Sequence, residues 1–245
     1  MRGAVSSRLH WRVWHRPKQG HTDAEYEDAA AGNPELGRFA IADGATESAF
    51  AGDWARCLVT SYTEVMPSDA SVHDWFDQAR RRFQTLWQNR PLPWYLEEQI
   101  REGAHATFLG VQLVPHVSGS WDWHALAVGD CCLFHLRDGV LLQSFPLQVS
   151  TEFHQLPALI DSKWERLPAH RQTWGQAKTG DVLLLASDAL AQWMLVRHEQ
   201  NQPVWSELLR LPDDPLAFRL RDLGSDLRND DLTLVGIELL PESLP

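Results

Sequence analysis

The chain has few cysteines and lacks a long apolar run. Three cysteines occur among 245 residues, and neither the adjacent Cys131 and Cys132 nor the distant Cys57 gives a disulfide framework or a zinc-ligand spacing. No apolar run approaches the roughly 20 residues that a membrane helix needs. The N-terminal segment also lacks the apolar stretch of a signal peptide, because Arg8 and Arg12 interrupt it. These absences predict a cytoplasmic protein with no membrane partner.

The chain also has fewer basic than acidic residues. The chain has 22 Lys and Arg against 33 Asp and Glu, and its formal net charge is −11. Binding to a nucleic-acid backbone depends on clustered Lys and Arg, so this balance disfavours a nucleic-acid partner. Carboxylates gathered around cations would produce the same imbalance, and composition alone does not decide between these causes.

The common motifs for nucleophilic catalysis and phosphate binding are absent. The chain contains no Gly-x-Ser-x-Gly elbow, no Walker-type phosphate loop and no Gly-x-Gly-x-x-Gly segment. None of its 11 histidines belongs to a His-Glu-x-x-His motif or to another zinc-ligand spacing. The aspartates therefore become the informative residues.

The hydrophobic pattern predicts strands that come in runs rather than in strict alternation with helices. Strands are predicted at 8–15, 38–42, 104–114, 123–128, 131–136, 140–145, 181–186 and 232–239. Helices are predicted at 47–65, 69–89, 94–102, 188–197, 204–211 and 215–223, whereas residues 146–180 show no regular pattern. We therefore expect an α+β fold, a four-layer αββα sandwich of two antiparallel β-sheets flanked by helices. Residues 1–245 are predicted to form one domain.

Three aspartates stand at the ends of predicted strands, and a fourth lies near the predicted second strand. Asp43 follows RFAIA, Asp188 follows DVLLLAS, Asp230 precedes LTLVGIEL and Asp28 lies within YEDAAAG. Each alone is also typical of a turn or a helix N-cap. Together, four carboxylates can converge on one edge of a sandwich, where hard divalent cations would offset their repulsion. Gly44, directly after Asp43, would let the main chain approach such a cation closely.

Five landmarks occur in order along nearly the whole chain. They are EDA at Glu27–Ala29, IADGATES at Ile41–Ser48, ALAVGDCCLFHLRDG at Ala125–Gly139, GDVLLLASDAL at Gly180–Leu190 and NDDLTLVGI at Asn229–Ile237. In this order they resemble the motifs of the protein phosphatase 2C family, and within it a divergent bacterial branch. Members of this family are PPM-type, metal-dependent Ser/Thr protein phosphatases.

The resemblance implies a role for each landmark aspartate. Asp43 would bridge two Mg²⁺ or Mn²⁺ ions, and the Gly44 carbonyl would bind one of them. Asp188 and Asp230 would complete the protein ligands of the other ion. Asp28 would hold a metal-bound water, which makes Asp28 and Asp43 the implied catalytic residues. A third, weaker metal site is implied at Asp130.

Several positions depart from the family pattern, among them Ala45, where some members carry a histidine, and Ala189, which replaces a glycine. Asp23 stands where members usually carry a phosphate-binding arginine, and His21 is the best available substitute. His21 is equally well interpreted as an ordinary loop histidine. Cys131 and Cys132 replace Ser-Arg after Asp130, which affects the region of the third metal. Residues 146–180 correspond to the variable flap of the family.

The function implied by the resemblance is hydrolysis of phosphoserine and phosphothreonine by a metal-activated water. The partner would be a phosphorylated protein, the target of a Ser/Thr kinase. Two alternatives stay open on the sequence alone. One is a catalytically inactive, phosphatase-like regulatory or phosphoprotein-binding module, and the other is an enzyme with the same metals that acts on a small phosphorylated metabolite.

Overall fold

The computed structural model describes residues 9–45, 48, 50–64, 72–87, 94, 101–116, 119–153, 156–166, 168–211 and 226–241. The strands are β1 (Leu9–Arg16), β2 (Ala29–Asn33), β3 (Arg38–Ala42), β4 (His105–Ala106), β5 (Phe108–Pro115), β6 (Ser120–Val128), β7 (Cys132–Arg137), β8 (Val140–Phe145), β9 (Ile160–Asp161), β10 (Arg171–Lys178), β11 (Val182–Ala186) and β12 (Leu232–Leu239). The helices are α1 (Ala51–Glu64), α2 (Val72–Trp87), α3 (Asp188–Glu199) and α4 (Val204–Leu208).

Ten of these strands form two five-stranded sheets in which every pairing is antiparallel, and β4 and β9 form a separate pair. The first sheet has the order β1-β12-β11-β7-β8, and the second has the order β10-β6-β5-β3-β2. One apolar core lies between the sheets, a second joins α3 and α4 to the first sheet, and a third joins α1 and α2 to the second sheet. The predicted αββα sandwich is confirmed.

The side chains along each strand point alternately to the two faces of its sheet, which explains how one sheet contributes to two cores. In β3, Phe39 and Ile41 belong to the core between the sheets, whereas Ala40 and Ala42 pack toward α1. The two alanines are small, so the helix can lie close to the sheet. Because β3 is buried on both faces, its position is fixed, and the chain leaves it at a defined edge of the sandwich.

One buried tryptophan links the helical layer to the loops above the sheets. Trp54 of α1 is fully buried, and its indole Nε1 donates a hydrogen bond of 2.9 Å to the carbonyl of Ile160 in β9. Strand β9 pairs in turn with β4, which directly precedes β5. The segment around β9 is therefore tied to the sandwich next to the end of β3.

The structure corrects the prediction that residues 146–180 are irregular throughout. Arg171–Lys178 form β10, an edge strand of eight residues that pairs with β6 along its whole length. Its side chains give no apolar alternation because only Ala177 is buried. Gly175 permits this pairing, since a Cβ there would lie 2.3 Å from the ring of Trp123.

Other predictions differ in detail. The strand predicted at 104–114 is divided at Thr107 into β4 and β5, and β2 was not predicted because its alanines and glycine carry no strand pattern. The helix predicted at 215–223 lies outside the described residues, as does most of the one at 94–102. Within the described ranges, no helix is both long and apolar enough to cross a bilayer.

A buried polar network stabilises β7 against the turn before β11. The carboxylate of Asp181 accepts hydrogen bonds from His135 Nε2 at 2.8 Å and from Arg137 Nε and Nη2 at 2.8 and 2.7 Å. The backbone amide of Lys178 donates a fourth, at 2.8 Å. Burial alone would raise the pKa of Asp181, but these donors outweigh it and lower the pKa to about 2.

We expect Asp181→Asn to destabilise the protein in a pH-dependent way. A depressed carboxyl pKa stabilises the fold above the unfolded value of about 3.9, and this contribution is lost as pH falls toward about 2. The loss at pH 7 should be on the order of 2 kcal/mol, and it should shrink at pH 3. Urea unfolding at both pH values measures it, with exposed Asp122→Asn as the control. An equal loss at pH 3 and pH 7 would contradict this interpretation.

Candidate active site

A cleft of about 540 Å³ opens at the edge of the sandwich where β3 ends and α3 begins. Its lining includes the carboxylates of Asp43, Glu102, Asp130, Asp188 and Asp230. The described residues that line it include no Lys or Arg. The cleft is therefore strongly acidic.

The topology explains why these aspartates meet. Asp43 directly follows β3, Asp188 begins α3 after β11, Asp130 lies in the turn between β6 and β7, and Asp230 lies two residues before β12. Neighbouring antiparallel strands place the end of one beside the start of the next, so these turns share one edge. The carbonyl of Asp43 accepts a 2.8 Å hydrogen bond from the amide of Thr107, which fixes its backbone against β5.

Asp28 lies just before β2 and next to Asp43, and it is not among the described residues that line the cleft. It is 2% exposed, and its Oδ2 accepts a hydrogen bond of 2.6 Å from Thr233 Oγ1. Its Oδ1 is buried without a hydrogen-bond partner. Burial raises the pKa of Asp28 to about 7. Hydrogen bonding with Thr233 and with Asp43 acts against this rise, and the charges of Asp231 and Asp188 add to it.

Asp43 and Asp130 share this unfavourable environment. Burial raises the pKa of Asp43 well above its ordinary value, and the charges of Asp28 and Asp188 raise it further. Asp130 is 5% exposed, with Oδ1 buried and unpaired. Its burial and the charge of Asp188 raise its pKa to about 7. These carboxyl groups are held where their negative charge is poorly solvated.

Arg228 lies between the two remaining carboxylates. Its Nη2 donates a hydrogen bond to Asp188 Oδ2 and another, of 3.0 Å, to Asp230 Oδ2. Burial would lower the pKa of Arg228, but the charges of Asp188 and Asp230 raise it. Sequence reasoning missed this residue, although its place two positions before Asp230 was a usable signal. The guanidinium is a positive charge at the point where the two carboxylates converge.

Asp231 and Gly44 support the site without adding a side chain to the lining of the cleft. Asp231 acts through hydrogen bonds, and Gly44 acts through close backbone packing. The Asp231 carboxylate accepts hydrogen bonds from the amides of Lys18 at 2.7 Å and Glu27 at 2.8 Å, which ties the loop before Asp28 to β12. A Cβ on Gly44 would lie 2.7 Å from the Glu27 carbonyl oxygen and 2.8 Å from the carbonyl carbon of Ala51. Close packing therefore requires a glycine at position 44.

The two histidines of interest have different locations. His21 is exposed in the loop after β1 and is not among the described residues that line the cleft. Its assignment as a phosphate ligand stays a prediction. His105 in β4 does line the cleft. Sequence reasoning missed it, because a single histidine in a strand-like run gives no signal.

The donor set is chemically suited to hard divalent cations. It offers anionic oxygens, and two of them, Asp28 Oδ1 and Asp130 Oδ1, are buried without a partner. A positive side chain, Arg228, already occupies the space between Asp188 and Asp230. Among the residues that the structure describes, no group of three or more His, Cys, Asp or Glu side chains is already arranged to ligate a metal. Ligation would therefore require Arg228 to move away from these carboxylates.

We expect Asp130→Asn to stabilise the metal-free protein increasingly as pH rises. A carboxyl group whose pKa is raised to about 7 in the fold destabilises it progressively between the unfolded value of about 3.9 and that pH. The gain over the natural chain should be small at pH 4 and reach up to about 4 kcal/mol above pH 7. Chemical unfolding in EDTA measures it, with Asp122→Asn as the matched control. A gain that is independent of pH would contradict the proposed burial of this charge.

Comparison with known proteins gives matches among solved structures only. No protein-family model matches the chain, and no curated protein matches it. A bacterial serine phosphatase is 12% identical, with 96% of this chain and 100% of that chain covered and a TM-score of 0.65. The Mycobacterium tuberculosis serine/threonine phosphatase PstP is 16% identical, with coverage of 95% and 99% and a TM-score of 0.59.

Two further structures of this kind contain metal ions. The catalytic domain of PstP was solved in complex with 2 manganese ions. RsbX was solved in complex with magnesium; it is 14% identical, with coverage of 94% and 95% and a TM-score of 0.52. Identities at this level establish the fold alone, and they agree with the resemblance found in the ordered sequence motifs. The chain has the fold of the PPM-type Ser/Thr phosphatases.

Proposed function

We propose that this chain is a metal-dependent protein serine/threonine phosphatase. The observation that carries the proposal is the gathering of carboxylates from separate segments at one cleft, where buried Asp130 is part of the lining and buried Asp28 adjoins Asp43. Such a set is costly to bury unless cations neutralise it. The shared fold with Ser/Thr phosphatases makes phosphate-ester hydrolysis the natural use of such cations.

Asp43, the Gly44 carbonyl, Asp188 and Asp230 would hold two Mg²⁺ or Mn²⁺ ions, and Asp130 would contribute to a third. The metals in the PstP and RsbX structures support this choice. When bound, such ions lower the pKa of a coordinated water and offset charge on the phosphoryl oxygens. Both ions accept octahedral oxygen ligands, so the donor set does not favour one of them.

The protein's own residues would position the reactants. Asp28 is fixed by its hydrogen bond from Thr233 and lies against the side chain of Asp43, where it would accept a hydrogen bond from the attacking water. A cysteine nucleophile is disfavoured because all three thiols are buried, and burial raises the pKa of Cys131 well above its ordinary value. Direct attack by water is therefore the reaction that these side chains support.

The substrate would be a protein that a Ser/Thr kinase has phosphorylated. A small phosphorylated metabolite would use the same chemistry, and turnover on phosphopeptides compared with metabolites separates the two. The arrangement of Arg228 favours a second candidate, a regulatory module without activity. By bridging Asp188 and Asp230, this arginine neutralises part of the cluster without any metal.

We expect Arg228→Ala to bind Mn²⁺ more tightly than the natural chain. Removing the guanidinium leaves Asp188 and Asp230 free to ligate, and a half-exposed ion pair of this kind corresponds to about a threefold to tenfold change in Kd. Isothermal titration calorimetry measures the affinity, and Arg56→Ala, at an exposed position of α1, serves as the control. Weaker binding by Arg228→Ala would show that the arginine does not compete with the metal.

The proposed activity predicts Mn²⁺-dependent hydrolysis of p-nitrophenyl phosphate and of a phosphothreonine peptide. Asp43→Asn should lose this turnover while keeping the fold, because the bridging ligand loses its charge. Asp122→Asn should behave as the natural chain. Initial rates with Mn²⁺ and with EDTA make the measurement. Turnover by Asp43→Asn at saturating Mn²⁺ would disprove the assignment, and inactivity of the natural chain would favour the regulatory module.

A further inference from the structure

The cleft contains one imidazole to which the proposed metal chemistry assigns no role. His105 lines the cleft together with Asp43 and Asp188, and its side chain is 36% exposed. An imidazole with this exposed fraction can be reached by solvent and by a substrate bound in the cleft. Histidine is also the side chain best suited to exchange a proton near neutral pH.

The backbone of His105 is held firmly in place. Its amide donates a 3.0 Å hydrogen bond to Ser48 Oγ, and its carbonyl accepts one of 3.0 Å from the amide of Ala45. The preceding residue, Ala104, exchanges two hydrogen bonds of 2.9 Å with Ser162. The backbone of His105 is thus connected to the turn that carries Asp43, which fixes the Cα atom of His105 relative to that turn.

A carboxylate from β9 accompanies the imidazole. Asp161 is the register partner of His105, and its Oδ2 lies 3.6 Å from His105 Nε2. Gly103 makes room for this carboxylate, because a Cβ there would lie 2.8 Å from Asp161 Oδ1. Asp161 is an ion-pair partner for the protonated ring and limits the orientations that the ring adopts. In this pair, His105 is suited to donate a proton and Asp161 is suited to orient the imidazole.

We propose that His105 is the general acid that protonates the leaving serine or threonine oxygen, oriented by Asp161. This role rests on the proposed phosphatase function. An alkoxide is a poor leaving group, so a proton delivered as the bond breaks lowers the barrier. The aspartates that would hold cations cannot supply this proton. Free carboxyl groups are ionised at neutral pH, whereas an imidazole is partly protonated there, which favours His105 over Glu102 among the described lining residues.

The step balances without a further reactant. The oxygen of a water molecule forms a bond to phosphorus as the bond between phosphorus and the side-chain oxygen breaks. The leaving oxygen keeps the electron pair of that bond and takes the proton from the His105 imidazolium. The proton lost by the attacking water passes to solvent, from which the imidazole regains its own. The products are the free hydroxyl side chain and inorganic phosphate.

The choice of leaving group tests this role. p-Nitrophenolate departs without a proton, whereas the oxygen of threonine does not. His105→Ala should therefore lower kcat on a phosphothreonine peptide about 100-fold or more, and it should change kcat on p-nitrophenyl phosphate by less than about threefold. His105→Gln, which keeps a polar side chain of similar reach but cannot act as the acid, should give the same pattern. Mn²⁺ affinity, measured by calorimetry, should be unchanged in both variants.

His116→Ala is the matched control. His116 is exposed just after β5, at the end of that strand opposite Thr107 and the cleft, and its loss should leave both substrates unaffected. Equal losses on the two substrates, or no loss on the peptide, would overturn the role of His105 while the phosphatase function stands. A natural chain without Mn²⁺-dependent turnover on either substrate would overturn the phosphatase function itself, and with it the role of His105.

Discussion

The burial of several carboxylates close to one another is the constraint on which the rest of this structure depends. Asp28, Asp43 and Asp130 all have raised pKa values, and in each case burial is the main cause. Their charge is offset by protons, by Arg228 at the neighbouring aspartates, or by divalent cations. Only the last of these gives the cluster a chemical use, because a cation can activate water and bind phosphate. Contacts elsewhere in the fold hold these carboxylates close together despite their repulsion.

Thr233, near the start of β12, connects the segments that carry Asp28 and Asp188. Its hydroxyl donates to Asp28, and its amide donates a 3.0 Å hydrogen bond to Ser187 Oγ, next to Asp188. Its carbonyl accepts a 3.1 Å bond from the Ser187 amide. Asp231, two residues earlier, ties down the loop that precedes Asp28. A single stretch of β12 therefore sets the relative positions of segments that are far apart in sequence, which is how distant aspartates reach one cleft.

Local patterns made part of this arrangement predictable. The bounds predicted for β3, β8 and β12 agree with the structure, because each run is apolar or alternating and ends at polar or turn residues. The aspartates at strand ends were found for the same reason. Strand β10 was missed because backbone pairing with β6, rather than an apolar pattern, defines it. His105 was missed because its position in the site comes from contacts across the fold, which no local spacing encodes. Arg228 was missed although it lies two positions before Asp230, because a lone arginine beside an acidic motif does not show which carboxylates it contacts.

The central claim is that the acidic cleft is a binuclear metal site. Anomalous scattering from crystals grown with saturating Mn²⁺ tests it most directly, since this measurement locates the ions and the ligands together. The account predicts two manganese peaks that share the Asp43 carboxylate, with Asp188 and Asp230 turned from Arg228 toward one of the ions. A cleft without manganese peaks, in which Arg228 still bridges these two carboxylates, would contradict it.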